Sequence, residues 1–259
     1  VQACPFPTAV LSNQTGYEAY FCEDFTEHME PYMEQWKKRD FVPDGIYTGF
    51  LSDEKQADKI LKLMDTFAGE DTLILTDPVM GDDGEVYPIY TEALRNRFCE
   101  LVRRSYVITP NLTEALILLY GKEKMEAIWR EFQEISGRER LDQIEETGRR
   151  LAEEFSLSAV VITGVDYRDG EELVKIGNLV LEKEKSSWVF AEKSGGSYSG
   201  TGDLFASVLS AGLVKGYSMK KCAHLAVDFI SASIRDAVEE GTDRNDGVCF
   251  EAHLGRLIQ

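Results

Sequence analysis

Short apolar runs alternate along this chain with longer amphipathic stretches. The runs at 7–11, 45–48, 72–75, 106–109, 160–163, 175–181 and 187–192 predict strands. The stretches at 25–39, 53–67, 92–101, 111–120, 140–155, 203–215 and 219–240 predict helices. Helices separate the first five strands, which predicts βαβ crossovers and a parallel sheet. The last two strands follow each other directly and read as an antiparallel hairpin or edge. The expected fold class is therefore α/β: a largely parallel central sheet, helices on both faces and an antiparallel edge hairpin. The helix over 204–214 is apolar and small on most sides, so burial is expected. The charged segment 121–146 reads as a surface helix pair. The chain opens at Val1 and enters a strand almost at once. The expectation is that the first strand–helix unit of such a sheet is absent.

Composition narrows the class. The chain has 259 residues, 43% hydrophobic and 29% charged, with no repeat, linker or low-complexity tract, so one domain over 1–259 is expected. A net charge of -18 repels phosphate backbones, which argues against a nucleic-acid partner. An anionic ligand such as ATP would then need backbone N–H groups, lysines or a metal ion around it. Five cysteines without C-x-x-C spacing read as reduced thiols in a cytoplasmic protein. No apolar run approaches the roughly 18 residues of a membrane span. The three histidines lack the spacing of a metal site or a triad.

Candidate chemistry lies where predicted strands end. Gly200-Thr201-Gly202-Asp203 precedes the apolar helix. Its glycines allow close backbone approach, and the free N–H groups of a helix start can hold a phosphate. Asp203 at that rim can accept a proton from a hydroxyl, or serve as a helix N-cap. Asp77-Pro78-Val79-Met80-Gly81-Asp82 follows a strand, where open α/β sheets bind ligands. Asp77 and Asp82 suit Mg²⁺ and phosphate; Asp82-Asp83-Gly84 also reads as an acidic turn. Thr109-Pro110-Asn111-Leu112-Thr113-Glu114 puts Asn111 and Glu114 on one face of a helix start, as a cap or as part of a shared Mg²⁺ site. Thr163-Gly164 ends another strand and suits close approach to a nucleotide. Ser12-Asn13-Gln14-Thr15-Gly16-Tyr17 alone is a polar turn. Walker and protein-kinase signatures are missing.

Taken in order, S-N-x-T-G-Y, T-G-F, D-P-V-M-G-D, T-P-N-x-x-E, V-I-T-G and G-T-G-D resemble the ribokinase-like superfamily, and within it the pyridoxal (vitamin B6) kinases. The resemblance runs from about Thr8 to about Arg235. It implies transfer of the ATP γ-phosphate to the 5′-hydroxymethyl group of pyridoxal, pyridoxine or pyridoxamine. It makes Asp203 the catalytic base and Gly200, Thr201 and Gly202 the anion hole. It assigns Ser12, Thr15, Gly16 and Phe50 to the acceptor. Asp77, Asn111, Glu114, Thr163, Gly164, Thr201 and Gly202 fall to ATP. Asp77, Asp82 and Glu114 fall to Mg²⁺, and Thr109 to a monovalent cation such as K⁺. Residues 193–198 match a loop over the nucleotide, and homodimers are usual in this branch. Phe50 stands where many relatives carry tyrosine, which keeps ring stacking and loses a hydroxyl. The competing activities are a hydroxymethylpyrimidine kinase, which shares the late motifs, and a non-catalytic binder of a vitamer or nucleotide.

Overall fold

A computed structural model describes residues 1–168 and 174–258. The chain opens with β1 (Ala9–Leu11), β2 (Cys22–Asp24) and α1 (Thr26–Lys37). Next come β3 (Gly45–Thr48), α2 (Glu54–Phe67), β4 (Leu73–Thr76), and the short pair β5 (Gly81–Asp82) and β6 (Glu85–Val86). The middle of the chain holds α3 (Glu92–Arg103), β7 (Val107–Ile108), α4 (Leu112–Glu134) and α5 (Gly137–Phe155). Strands β8 (Ala159–Tyr167), β9 (Lys175–Glu182) and β10 (Lys185–Glu192) lead to α6 (Thr201–Val214) and α7 (Met219–Glu240).

Six strands form one sheet in the order β10-β9-β8-β7-β4-β3. The four from β3 to β8 run parallel, and β9 and β10 add antiparallel to β8. Burial on both faces follows the period-two alternation of each strand. Ile74, Ile108, Val160, Ile162, Leu179 and Leu181 point into the core under α1–α5. Leu75, Val107, Ala159, Val161, Val180 and Val189 point into the core under α6 and α7. The register aligns Thr48 with Thr76, Thr76 with Ile108, and Ile108 with Val160. The residues that leave these strands therefore emerge side by side along one edge.

The fold class is as expected from the sequence, with three corrections in detail. The first predicted strand does not join the parallel sheet: β1 pairs antiparallel with β2 in a separate hairpin. Buried Gln56 ties the hairpin's base down, donating to the Thr8 carbonyl at 2.8 Å and to Thr26 Oγ1 at 3.0 Å. Segment 121–146 is the expected helix pair, amphipathic rather than wholly at the surface. It belongs to the second half of α4, which kinks at Gly121, and the first half of α5, and it buries Met125, Phe132, Leu141 and Ile144. Helix α6 buries only one side, through Phe205, Ala206, Leu209 and Gly212. No helix among the described residues is long and apolar enough to cross a membrane.

Candidate active site

The edge where the parallel strands end carries the acidic residues. Asp77 follows β4, and its N–H donates to the Thr48 carbonyl at 2.8 Å, which fixes it beside the end of β3. Thr109 follows β7, with its N–H on the Thr76 carbonyl at 3.2 Å. Asp77 is 7% exposed and Thr109 4%. The Thr109 hydroxyl lies near enough to Asp77 to favour its charged form, yet no hydrogen bond of sound geometry satisfies Oγ1. Burial, and then the nearby Asp203 charge, push the Asp77 carboxyl up to about 7.

Asn111 and Glu114 build a reciprocal cap on α4. Asn111 Oδ1 accepts from the Glu114 N–H at 2.9 Å, and Glu114 Oε2 accepts from the Asn111 N–H at 2.9 Å. Glu114 Oε1 also takes the Met80 N–H at 3.2 Å, and Asn111 Nδ2 donates to the Gly81 carbonyl at 2.8 Å. The cap thus staples α4 to the segment carrying Asp77 and Asp82. Glu114 is buried, and desolvation with the Asp77 and Asp82 charges holds its carboxyl well above the usual range. Asp82 sits in the β5–β6 hairpin, so its acidic turn is real. Desolvation raises its carboxyl, and Arg244 opposes the shift.

Helix α6 opens over this cluster. Gly200 is its N-cap at φ 79, a left-handed conformation natural to glycine, with no side-chain cap. Asp203 is therefore not an N-cap. It lies in the first turn, where Tyr47 Oη donates to its Oδ1 at 3.2 Å. Desolvation raises the Asp203 carboxyl, and the Tyr47 hydrogen bond pulls it back. A Cβ on Gly202 would stand 4.0 Å from Asp77 Oδ2, so the helix mouth covers Asp77 directly. Thr163 and Gly164 form an irregularity in β8, and Thr163 bridges Asn111.

The predicted acceptor residues lie apart. Ser12, Thr15 and Gly16 occupy the exposed tip of the β1–β2 hairpin, and the Ser12 hydroxyl is engaged by Asn13 and the Phe21 N–H within that tip. The tip reaches the site's surroundings through loop 242–247. Tyr17 Oη donates to Asp246 Oδ1, and the Ser199 N–H donates to the Arg244 carbonyl at 3.0 Å. Phe50 is half-exposed, and its carbonyl accepts from Thr8 at 3.5 Å. In the 193–198 segment, Lys193 pairs with Asp166 at 2.7 Å.

Sequence reasoning missed Tyr47, Tyr87 and Arg244. Tyr47 and Tyr87 both feel the cluster's charges, which with burial raise their phenols above the ordinary value. Their signal was proximity in sequence to the strand-end motifs, because each lies within a few residues of one.

Among the described residues, no three acidic, histidine or cysteine side chains converge as a ready metal centre. Mg²⁺ needs only one or two carboxylates beside waters and phosphates. Asp77, raised by burial and the Asp203 charge, Glu114, raised by burial and the Asp77 charge, and the unsatisfied Thr109 hydroxyl are donors suited to a cation.

An open α/β sheet with a helix mouth above strand-end carboxylates is the ribokinase-like arrangement. Residues 30–247 match the family model described as phosphomethylpyrimidine kinase, and the chain belongs to that family. A Bacteroides thetaiotaomicron protein described as a candidate phosphomethylpyrimidine kinase, crystallised with pyridoxal, is 31% identical; the match covers all of this chain and 86% of that one, with a TM-score of 0.87. The pyridoxine kinase of Bacillus subtilis is 28% identical over 170 residues, 63% of this chain but only 54% of that protein. The pyridoxal kinase of Arabidopsis thaliana is 26% identical over 246 residues, 91% of this chain and 73% of that protein.

Proposed function

We propose that this chain transfers the γ-phosphoryl group of ATP to the 5′-hydroxymethyl group of pyridoxal, pyridoxine or pyridoxamine. The observation that carries the reading is Asp203 in the first turn of α6, beside buried Asp77 and under hydrogen-bond control of Tyr47. Asp203 takes the proton of the acceptor hydroxyl as that oxygen bonds to phosphorus. The N–H groups of Thr201 and Gly202, at the positive end of α6, hold the charge on the phosphoryl group in transit. Of Asp77, Asp82 and Glu114, one or two carboxylates together with waters and phosphate oxygens would hold a divalent cation, which when bound neutralises phosphate charge. Asn111, Thr163 and Gly164 line the ATP side, and Thr109 Oγ1 offers an oxygen to a monovalent cation. Ser12, Thr15, Gly16 and Phe50 select the acceptor from the hairpin side. A single domain over 1–259, a homodimer and a cytoplasmic location complete the reading.

The relative crystallised with pyridoxal supports a B6 vitamer as acceptor. The description of the matched family favours a second reading, in which the acceptor is hydroxymethylpyrimidine or its phosphate. A coupled assay of ADP release with each vitamer and each pyrimidine separates the two. Turnover with vitamers is expected. Turnover with the pyrimidines alone would replace the first reading by the second, and saturable binding without turnover would reduce the chain to a binder.

A further inference from the structure

We propose that Tyr47 is a positioning residue for Asp203: its hydroxyl holds one carboxylate oxygen so that the other faces the acceptor hydroxyl. The proposal rests on the reading of Asp203 as the general base. Alternation along β3 sends Ile46 toward the core under α1–α5 and Tyr47 toward the core under α6 and α7. The Tyr47 ring packs on the cluster that contains Leu75, Phe205 and Leu209. The ring is thus clamped between the sheet and the helix that carries Asp203. Packing alone would be met by phenylalanine. The hydroxyl instead leaves the apolar layer at the mouth of α6 and donates to Asp203 Oδ1 at 3.2 Å.

Gly49 supports the same pair. A Cβ there would stand 3.2 Å from Tyr47 Oη and 3.8 Å from Asp203 Oδ1, so the absence of a side chain leaves the two groups room to meet. An aspartate in a first helical turn can otherwise rotate toward the free N–H groups of its own helix, where it would compete with the phosphoryl group for them. The Tyr47 hydrogen bond opposes that rotation. In the transfer step the acceptor O–H proton then passes to Oδ2 of Asp203 as the new O–P bond forms. The bond from phosphorus to the β,γ-bridging oxygen breaks, and its electron pair leaves with ADP.

Tyr47→Phe keeps the ring and removes only the hydroxyl. Steady-state kinetics with ATP and pyridoxal are measured for Tyr47→Phe, Asp203→Asn and the double variant, with thermal melts of each. Tyr47→Phe is expected to lower kcat about 10-fold, the loss of one hydrogen bond to a charged group, while both KM values stay within about 2-fold. In the Asp203→Asn background the same change is expected to lower kcat no further. Full kcat in Tyr47→Phe overturns the proposal, as does an equal further loss in the double variant, which would make Tyr47 act independently of Asp203. An Asp203→Asn variant with near-normal kcat would instead overturn the base reading and this proposal with it.

Discussion

The carboxylate cluster lies under the mouth of α6, the β1–β2 hairpin reaches that region through loop 242–247, and the two are built in opposite ways. Asp77, Thr109 and Glu114 are buried, pinned by the parallel ladder and by the cap that ties α4 to the Asp77–Asp82 segment. The hairpin is two three-residue strands outside the main sheet, with Val10 51% and Phe21 65% exposed. An isolated pair of strands is marginal in water, so its position depends on Gln56 at the base and on the Tyr17–Asp246 contact at the tip. The difference teaches a division of labour. Under the proposed function, charge placement for phosphoryl transfer falls to the rigid frame and acceptor choice to the lightly held element.

Changes in the rigid region should therefore act on kcat and on stability, and changes in the hairpin on KM. The largest effect is expected for Asp203→Asn. It should lower kcat by about 10²–10⁴, the range for a lost general base, with ATP affinity by calorimetry nearly unchanged. A kcat within about 3-fold of the parent would leave Asp203 as a helix-dipole partner only.

Asp77→Asn should separate stability from function. Burial and the Asp203 charge raise the Asp77 carboxyl to about 7. Between the ordinary carboxylate value and about 7, the folded chain keeps a proton that the unfolded chain has released, so this group makes stability fall as pH rises. The variant should gain about 1–2 kcal/mol at pH 8, and the gain should close toward pH 4. Its rise in Tm on adding Mg²⁺ and ATP should shrink. Melts showing equal or lower stability at both pH values would remove the electrostatic strain from the account.

The smallest effect is expected for Tyr17→Phe. Hydrogen bonding to exposed Asp246 is the leading cause that pushes the Tyr17 phenol up to about 12, so the contact is at the surface. The melting temperature should stay close to the parent's, as for a surface substitution. The acceptor KM should rise about 3-fold with kcat unchanged, the share of one weak hydrogen bond. A fall in kcat with KM constant would place the hairpin in the chemistry rather than in acceptor choice.

The same contrast governs what could be read in advance. Strands β3, β4, β7 and β8 were legible because apolar residues fill both faces, and so was the placement of Asp77, Asp203 and Glu114 just after a strand or in the first turn of a helix. The partner of β1 was not legible: Cys22-Glu23-Asp24 is short, polar and exposed, and carries no burial pattern. Asn111 and Glu114 fit a cap and a ligand equally from spacing, and the structure makes them a cap whose carboxylate is also buried beside Asp77. Tyr47 was hidden because an aromatic residue in an apolar strand reads as core. Only the position of α6 shows that its hydroxyl leaves that core.

The most direct test of phosphoryl transfer to a hydroxymethyl group is a single-turnover reaction with γ-labelled ATP and pyridoxal, resolved by mass spectrometry. The account predicts that the label appears as a phosphate ester on the 5′-oxygen of pyridoxal. Label released only as inorganic phosphate, at one rate with and without pyridoxal, would contradict it.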